Sequence, residues 1–72
     1  MSREVIFIET EFIRLQDLLK FSGMTETGGQ AKFLIQEGYV LVNGEVCKVR
    51  GKKLVEGDKV TLDDKTLEVR RY

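Results

Sequence analysis

The residues best suited to chemistry are a cluster of cations, and the chemistry that they suit is the binding of anions. Lys48, Arg50, Lys52 and Lys53 place four positive charges within six residues. No acidic residue lies among them, so these charges repel one another unless a polyanion such as a nucleic acid neutralises them. The cluster therefore predicts a phosphate-binding surface. A loop whose charges are only solvated is the alternative interpretation.

A pair of glycines, Gly28 and Gly29, is the second candidate, because it stands where a helix is predicted to begin. Each glycine costs a helix about 1 kcal/mol relative to alanine, so a compensating role is expected. A helix N-terminus presents unpaired N–H groups and a partial positive charge, and bare backbone lets a phosphate approach closely. A tight interhelical loop that needs glycine for its geometry is the alternative.

Catalytic chemistry finds little support in the sequence. The chain has no histidine, and therefore no conventional general base at neutral pH. Its single cysteine, Cys47, falls in a predicted strand and is interpreted as structural. The glycine pair lacks the Gly-Lys-Ser/Thr of a phosphate-binding P-loop, and no residues have zinc-ligand spacing. We predict a protein that is not an enzyme and that needs no cofactor or metal.

Length and composition predict one small domain. The 72 residues allow a single domain, and 42% hydrophobic residues are enough for one core. A lone cysteine excludes an intrachain disulfide, which favours a reducing compartment. The longest apolar run, Val5 to Ile8, is too short for a membrane span or a signal peptide. We expect a cytoplasmic monomer that does not associate with membranes.

The net charge is zero, which by itself argues against a nucleic-acid binder, but the charges are unevenly distributed. Residues 14–53 carry seven Lys/Arg against four Asp/Glu, a balance of +3. The remaining residues carry five against eight, a balance of −3. A domain that binds phosphate on one face and stays soluble through its other faces has this pattern.

Two helices are predicted to position the candidate residues. The first has an apolar stripe at Phe12, Leu15, Leu18 and Leu19, and Gly23 is placed to end it. The second begins with a capping box over residues 27–30. In it, the Thr27 hydroxyl accepts an early backbone N–H of the helix, and the Gln30 side chain reaches back to the backbone of the cap. Its expected buried stripe consists of Ala31, Leu34 and Ile35. Gly38 is expected to end the helix.

Short apolar or alternating runs predict one strand before the helices and four after them. These strands cover residues 5–8, 39–42, 45–48, 59–62 and 66–69. Asn43-Gly44 predicts a hairpin with a type I′ turn, which needs positive φ at both positions. Further turns are expected at Glu56-Gly57-Asp58 and Asp63-Asp64-Lys65. The order β-α-α-β-β-β-β predicts an α+β fold in which two packed helices lie against a small, mostly antiparallel sheet.

These residues together resemble the RNA-binding domain of the ribosomal protein S-four type, also called the αL motif. The resemblance covers roughly residues 13–62. It is carried by R-L-x-x-L-L-K at 14–20, A-K-x-x-I at 31–35, G-x-V-x-V-N-G at 38–44 and E-G-D at 56–58. It implies that residues 1–72 form one αL-type domain that binds structured RNA.

The start of the second helix departs from the family pattern. The family usually has Ser-Arg there, whereas this chain has Thr27-Gly28, so one expected phosphate contact is absent. A glycine-rich helix start and the basic K-x-R-G-K-K segment at 48–53 are instead similar to the small stand-alone members of the YaaA/YbcJ type.

The resemblance implies an RNA surface made mainly of lysines, backbone N–H groups and one asparagine. A-form RNA hides its base edges, so such a surface would recognise phosphates and shape. We expect ribosomal RNA or a ribosome-assembly intermediate as the target, with a ribosomal subunit as a possible larger partner. The nearby rings of Phe33 and Tyr39 are expected to pack inside the domain, which disfavours single-strand binding by base stacking. By position, the surface comprises Lys20, Thr27, Gly28, Gly29, Gln30, Lys32, Asn43, Gly44, Lys48, Arg50, Lys52 and Lys53.

A protein-interaction module that docks on a larger assembly such as the ribosome is the competing hypothesis. Its docking face would be the acidic remainder of the chain, residues 54–68 in particular. The RNA hypothesis predicts that changing Lys52 and Lys53 to glutamate weakens RNA binding without unfolding the domain.

Overall fold

A computed structural model describes residues 2–72 of the chain. Its two helices follow the first strands, and most of the sheet comes after them, as the sequence predicts. The α+β class is therefore confirmed. In chain order the elements are β1 (Ser2–Ile8), β2 (Ile13–Arg14), α1 (Leu15–Phe21), α2 (Gly28–Gln36), β3 (Val40–Val42), β4 (Glu45–Val46), β5 (Lys53–Leu54), β6 (Lys59–Leu62) and β7 (Lys65–Arg71).

Five strands form one sheet in the order β1-β7-β6-β3-β4. The first and last strands of the chain, β1 and β7, pair in parallel. All other neighbours in this sheet are antiparallel, so the mostly antiparallel sheet is confirmed. Asn43 and Gly44 join β3 to β4 with φ values of 52° and 85°, which are the positive φ values of the predicted type I′ turn.

The helices cover one face of this sheet, and the core lies between the two layers. Alternate strand residues point towards the helices, whose apolar stripes complete the core. Leu34 of α2 is only half buried, at the edge of the core, although it was expected inside. The buried apolar residues are Ile8, Leu15, Leu18, Leu19, Ala31, Ile35, Val40, Val42, Leu54, Val60, Leu62, Leu67 and Val69.

The first helix begins later than predicted. Phe12 was assigned to its apolar stripe, but α1 starts at Leu15. The preceding residues are extended instead, because β2 pairs antiparallel with β5 and places Ile13 opposite Leu54. Leu54 is fully buried, so the pairing of β2 with β5 fixes the residues just before α1 against the core. A pair of strands this short has no periodicity that a sequence could display.

Candidate nucleic-acid interface

The basic loop, residues 48–53, is fixed against the start of α1 by two backbone hydrogen bonds. The Leu15 N–H donates to the Lys52 carbonyl at 2.9 Å, and the Gln16 N–H donates to the Arg50 carbonyl at 3.2 Å. A helix start leaves its first four N–H groups unpaired, and here the loop carbonyls satisfy two of them. The loop backbone therefore has a defined position, while the side chains of Arg50 and Lys52 remain exposed.

A groove of about 460 Å³ separates this loop from the β3–β4 hairpin. Three predicted site residues, Asn43, Lys48 and Lys52, line it together with Glu45, and the remaining lining residues are Val42, Val46, Cys47 and Val49. The stem of Lys48 crosses the end of α2, since its Cε would lie 3.3 Å from a Cβ added to Gly38. A side chain at position 38 would push Lys48 away.

Within residues 2–72, no carboxylate forms an ion pair with the candidate cations. The ion pair found in the described residues joins Arg70 Nε to Glu68 Oε2 at 2.7 Å. This hydrogen bond holds the pKa of Glu68 below its usual value. Lys53 Nζ lies 4.9 Å from the centre of the Phe12 ring, a contact that leaves its positive charge intact. The other cations of the basic loop are exposed to solvent. This arrangement favours a polyanionic partner.

The start of α2 has the predicted N-cap. Thr27 Oγ1 accepts the Gln30 N–H at 3.1 Å, as in a capping box. The returning bond differs by one residue, because Gln30 Oε1 accepts the Glu26 N–H at 2.9 Å and not that of Thr27. Both predicted site side chains therefore hold the helix start in place.

The fold itself does not require the glycine pair. Within the part of the chain that the structure describes, a Cβ on Gly28 would meet no atom within 4 Å, and one on Gly29 would meet Thr27 Oγ1 at 3.9 Å. Neither glycine is among the residues with positive φ. The interhelical-loop explanation of this pair therefore loses its support. Both glycines are exposed, which leaves their backbone accessible from solvent.

Asn43 has a structural role that sequence reasoning missed. Its Oδ1 accepts the Lys59 N–H at 2.9 Å, and its Nδ2 donates to Asp58 Oδ1 at 3.1 Å. Asp58 Oδ2 in turn accepts the Val55 N–H at 2.8 Å. Asn43 and Asp58 thus connect the turn between β3 and β4 to the turn at residues 56–58. Gly44, beside Asn43, is exposed at the hairpin tip.

The structure divides the predicted residues into two groups, one at each end of the helix pair. Lys20 and residues 27–32 lie where α1 ends and α2 begins. The basic loop lies at the other end, against the first turn of α1 and against Gly38. The nine residues of α2 span about 13 Å at 1.5 Å per residue. A single phosphate cannot reach both groups, whereas a folded polynucleotide can.

Two aromatic side chains near the site are not packed as predicted. Phe33 and Tyr39 are 58% and 57% exposed, so the expectation that both pack inside the domain was wrong. The buried stripe of α2 is narrow and consists of Ala31 and Ile35. Phe33 is two positions from each, which rotates it about 200° around the helix to the solvent side. Tyr39 follows the end of α2 and precedes β3.

Three further features bear on other kinds of site: groups of metal-ligating side chains, the single cysteine, and the length of the helices. Among the described residues, no three His, Cys, Asp or Glu side chains come together to hold a metal ion. Cys47 lies outside β4, half buried, with its Sγ 3.8 Å from the Val49 carbonyl oxygen. Neither of the two helices found in residues 2–72 is long and apolar enough to cross a membrane.

Known proteins are similar to this chain in sequence, and a solved structure is similar to it in fold. The probable ribosome maturation protein RlbA of Bacillus subtilis (strain 168) is 43% identical over 58 residues, which cover 81% of this chain and 82% of that protein. The putative RNA-binding protein YbcJ of Escherichia coli (strain K12) is 40% identical over 57 residues, or 79% and 81% of the two chains.

The solution structure of E. coli YbcJ, described as revealing an αL motif involved in RNA-binding, superimposes with a TM-score of 0.68 at 34% identity. The match covers 97% of this chain and 87% of that one. The S4 domain family matches residues 6–70, which includes both helices and every strand residue except 2–5 of β1 and Arg71 of β7. This chain belongs to the S4 domain family and has the YbcJ-type αL fold.

Proposed function

We propose that this domain binds structured RNA, and that its target is ribosomal RNA in a maturing ribosomal particle. The observation that carries the proposal is the basic loop, whose backbone is fixed against α1 while its cations remain exposed and unpaired within residues 2–72. A relative named as an RNA-binding protein and another named as a ribosome maturation protein support it. We propose a binding protein and not an enzyme, acting as a monomeric cytoplasmic domain over residues 1–72.

In this proposal the two residue groups bind different parts of one RNA. The basic loop, including Lys48, contacts phosphates along one RNA strand, and the groove beside the β3–β4 hairpin accepts the edge of that RNA strand. At the other end, the N–H groups of Gly28 and Gly29 contact a further phosphate, with Lys20 and Lys32 beside them. Recognition then depends on the spacing of phosphates in a folded RNA, because the helix pair keeps the two groups a fixed distance apart.

The glycine pair supplies a prediction in which stability and binding move in opposite directions. Replacing Gly28 and Gly29 with alanine should stabilise the domain by up to about 1 kcal/mol per site, because alanine favours the helix and meets open space. The same change should weaken RNA binding several-fold, since two methyl groups then stand between the backbone and a phosphate. Urea unfolding and RNA titration measure the two effects. A stabilised variant with unchanged RNA affinity would exclude the helix start from the surface.

The target is best identified by crosslinking the protein to RNA in cells and sequencing the attached fragments. We expect fragments of ribosomal RNA concentrated at one structured region. Fragments that merely follow the abundance of each cellular RNA would contradict the ribosomal target. They would leave general RNA binding intact.

Docking on a protein of a larger assembly is the second candidate function. The acidic segment, residues 54–68, offers fewer free carboxylates than its sequence suggests, since those of Asp58 and Glu68 are engaged within the domain. An apolar groove of about 360 Å³ serves this function better, and the exposed rings of Phe7, Phe21 and Tyr72 line it. Cosedimentation with ribosomal particles that survives both high salt and RNase would favour this function.

A further inference from the structure

We infer that the ring of Phe33 stacks on an unpaired base of the bound RNA. This inference rests on the proposed function and deepens it, because it specifies the kind of RNA feature that the surface selects. The basic residues and the glycine pair contact phosphates, which are the same in every RNA. A stacking ring would make the domain prefer a folded RNA with a base that is free to leave the helix.

The position of Phe33 leaves it without a structural task. Ala31 and Ile35 point into the core and are fully buried, whereas Phe33 lies on the opposite side of α2 and is 58% exposed. An exposed phenylalanine at this position contributes little to folding, and its helix propensity is lower than that of leucine. A ligand contact accounts for a large ring at the centre of the solvent side.

The ring also lies close to the proposed phosphate contact. Gly29 and Gln30 precede Phe33 by four and three residues, so they occupy the same side of the helix one turn earlier. Side chains on an α-helix lean towards its N-terminus, which directs the ring over that turn. Gly29 has no side chain, so the residue four positions before Phe33 leaves room beside the ring. One nucleotide could therefore place its phosphate at the helix start and its base on the ring.

The surroundings of Phe33 suit a nucleotide better than an apolar protein surface. The residues three and four positions from Phe33 are Gly29, Gln30, Gln36 and Glu37, so no apolar side chain one turn away extends the ring into a patch. The first turn of α2 contains no acidic residue, and Lys32 adds a positive charge beside the ring. Glu37 lies at the far end of the helix and would keep phosphates towards the N-terminal half.

The test compares two RNA hairpins that differ by one unpaired adenosine: one hairpin is fully paired and the other carries the adenosine as a bulge. We expect the wild-type protein to bind the bulged hairpin about tenfold more tightly, the scale of one stacked base. Phe33→Leu keeps an apolar side chain but removes the aromatic face, so it should bind both hairpins equally. Phe33→Trp should retain the preference. Thermal unfolding of Phe33→Leu should occur at or above the wild-type temperature.

The matched control is Tyr72→Leu, which removes the aromatic face of an 85% exposed ring outside the candidate surface and should keep the preference for the bulge. A Phe33→Leu variant that still prefers the bulged hairpin overturns the stacking role while RNA binding itself stands. If that variant instead loses only its RNase-resistant cosedimentation with ribosomal particles, the ring contacts protein and the inference is overturned. A wild-type protein that binds neither hairpin overturns the proposed function and the inference with it.

Discussion

Replacing Arg50 and Lys52 with glutamate should weaken binding to structured RNA by about 30-fold or more at physiological salt. Each lost phosphate contact removes the release of about one counterion. At 0.15 M salt, that release raises the RNA affinity roughly fivefold. Two contacts multiply to the stated factor, and the repulsion from two new carboxylates adds to it. Fluorescence anisotropy with a labelled RNA hairpin measures the change.

The structure explains why these two positions are better than the Lys52 and Lys53 pair that the sequence suggests. The side chains of Arg50 and Lys52 are exposed, and only their backbone carbonyls hold the start of α1. Glutamate leaves those carbonyls in place. Lys53 lies in β5 with its ammonium near the Phe12 ring, so changing it would disturb a packed contact as well as a charge.

The control for this prediction is Arg3→Glu with Arg71→Glu, which changes the net charge by the same amount. Arg3 lies in β1, the edge strand farthest from the β3–β4 hairpin, and Arg71 lies in its neighbour β7. We expect this control to lose much less affinity than the loop variant. Equal losses would mean that overall charge, and not the basic loop, determines RNA binding.

Replacing Asn43 with alanine should lower the free energy of unfolding by about 2–3 kcal/mol. The variant loses two side-chain hydrogen bonds, each worth about 1 kcal/mol, and leaves Asp58 Oδ1 without its Asn43 partner. Alanine also tolerates the φ of 52° less well than asparagine, which adds about 1 kcal/mol. A domain of 72 residues has a total stability of roughly 4–11 kcal/mol, so this is a large fraction.

Urea unfolding measures the loss, and the midpoint of thermal unfolding should fall by about 10–20 °C. Asn43→Gly is the matched control, because glycine accepts the positive φ but lacks the carboxamide, so it isolates the hydrogen bonds. Because both ends of the Asn43 carboxamide are engaged within the domain, we now assign this residue a structural role and not the RNA contact expected from the sequence. Well below its unfolding temperature, Asn43→Ala should therefore bind RNA nearly as tightly as the wild type. A variant of unchanged stability that no longer binds RNA would instead make Asn43 a direct RNA contact.

Turn conformations and capping hydrogen bonds are the features of this fold that can be predicted from the sequence. The positive φ values at Asn43 and Gly44, and the bond between Thr27 and Gln30, follow from residue types that few other conformations accept. Each depends on neighbours within a few residues, so the pattern contains the necessary information.

The features that the sequence does not reveal depend on contacts between distant residues. The pairing of β2 with β5 joins Arg14 to Lys53, and neither segment is long enough to show alternation. Phe33 and Tyr39 were expected to pack because they are apolar, yet the narrow core stripe of α2 leaves both exposed. The division of the candidate site between the two ends of the helices is likewise a property of packing.

In the proposed function, exposed cations of this domain bind the phosphates of a folded RNA. The most direct test of this function is the salt dependence of the equilibrium constant for one RNA hairpin, measured from low to physiological salt. The candidate surface contains six cations, Lys20, Lys32, Lys48, Arg50, Lys52 and Lys53. If most of them contact phosphate, a plot of log Kobs against log salt concentration should have a slope of about −3 to −5. A slope near zero would contradict the account, because no ionic surface would then be in use.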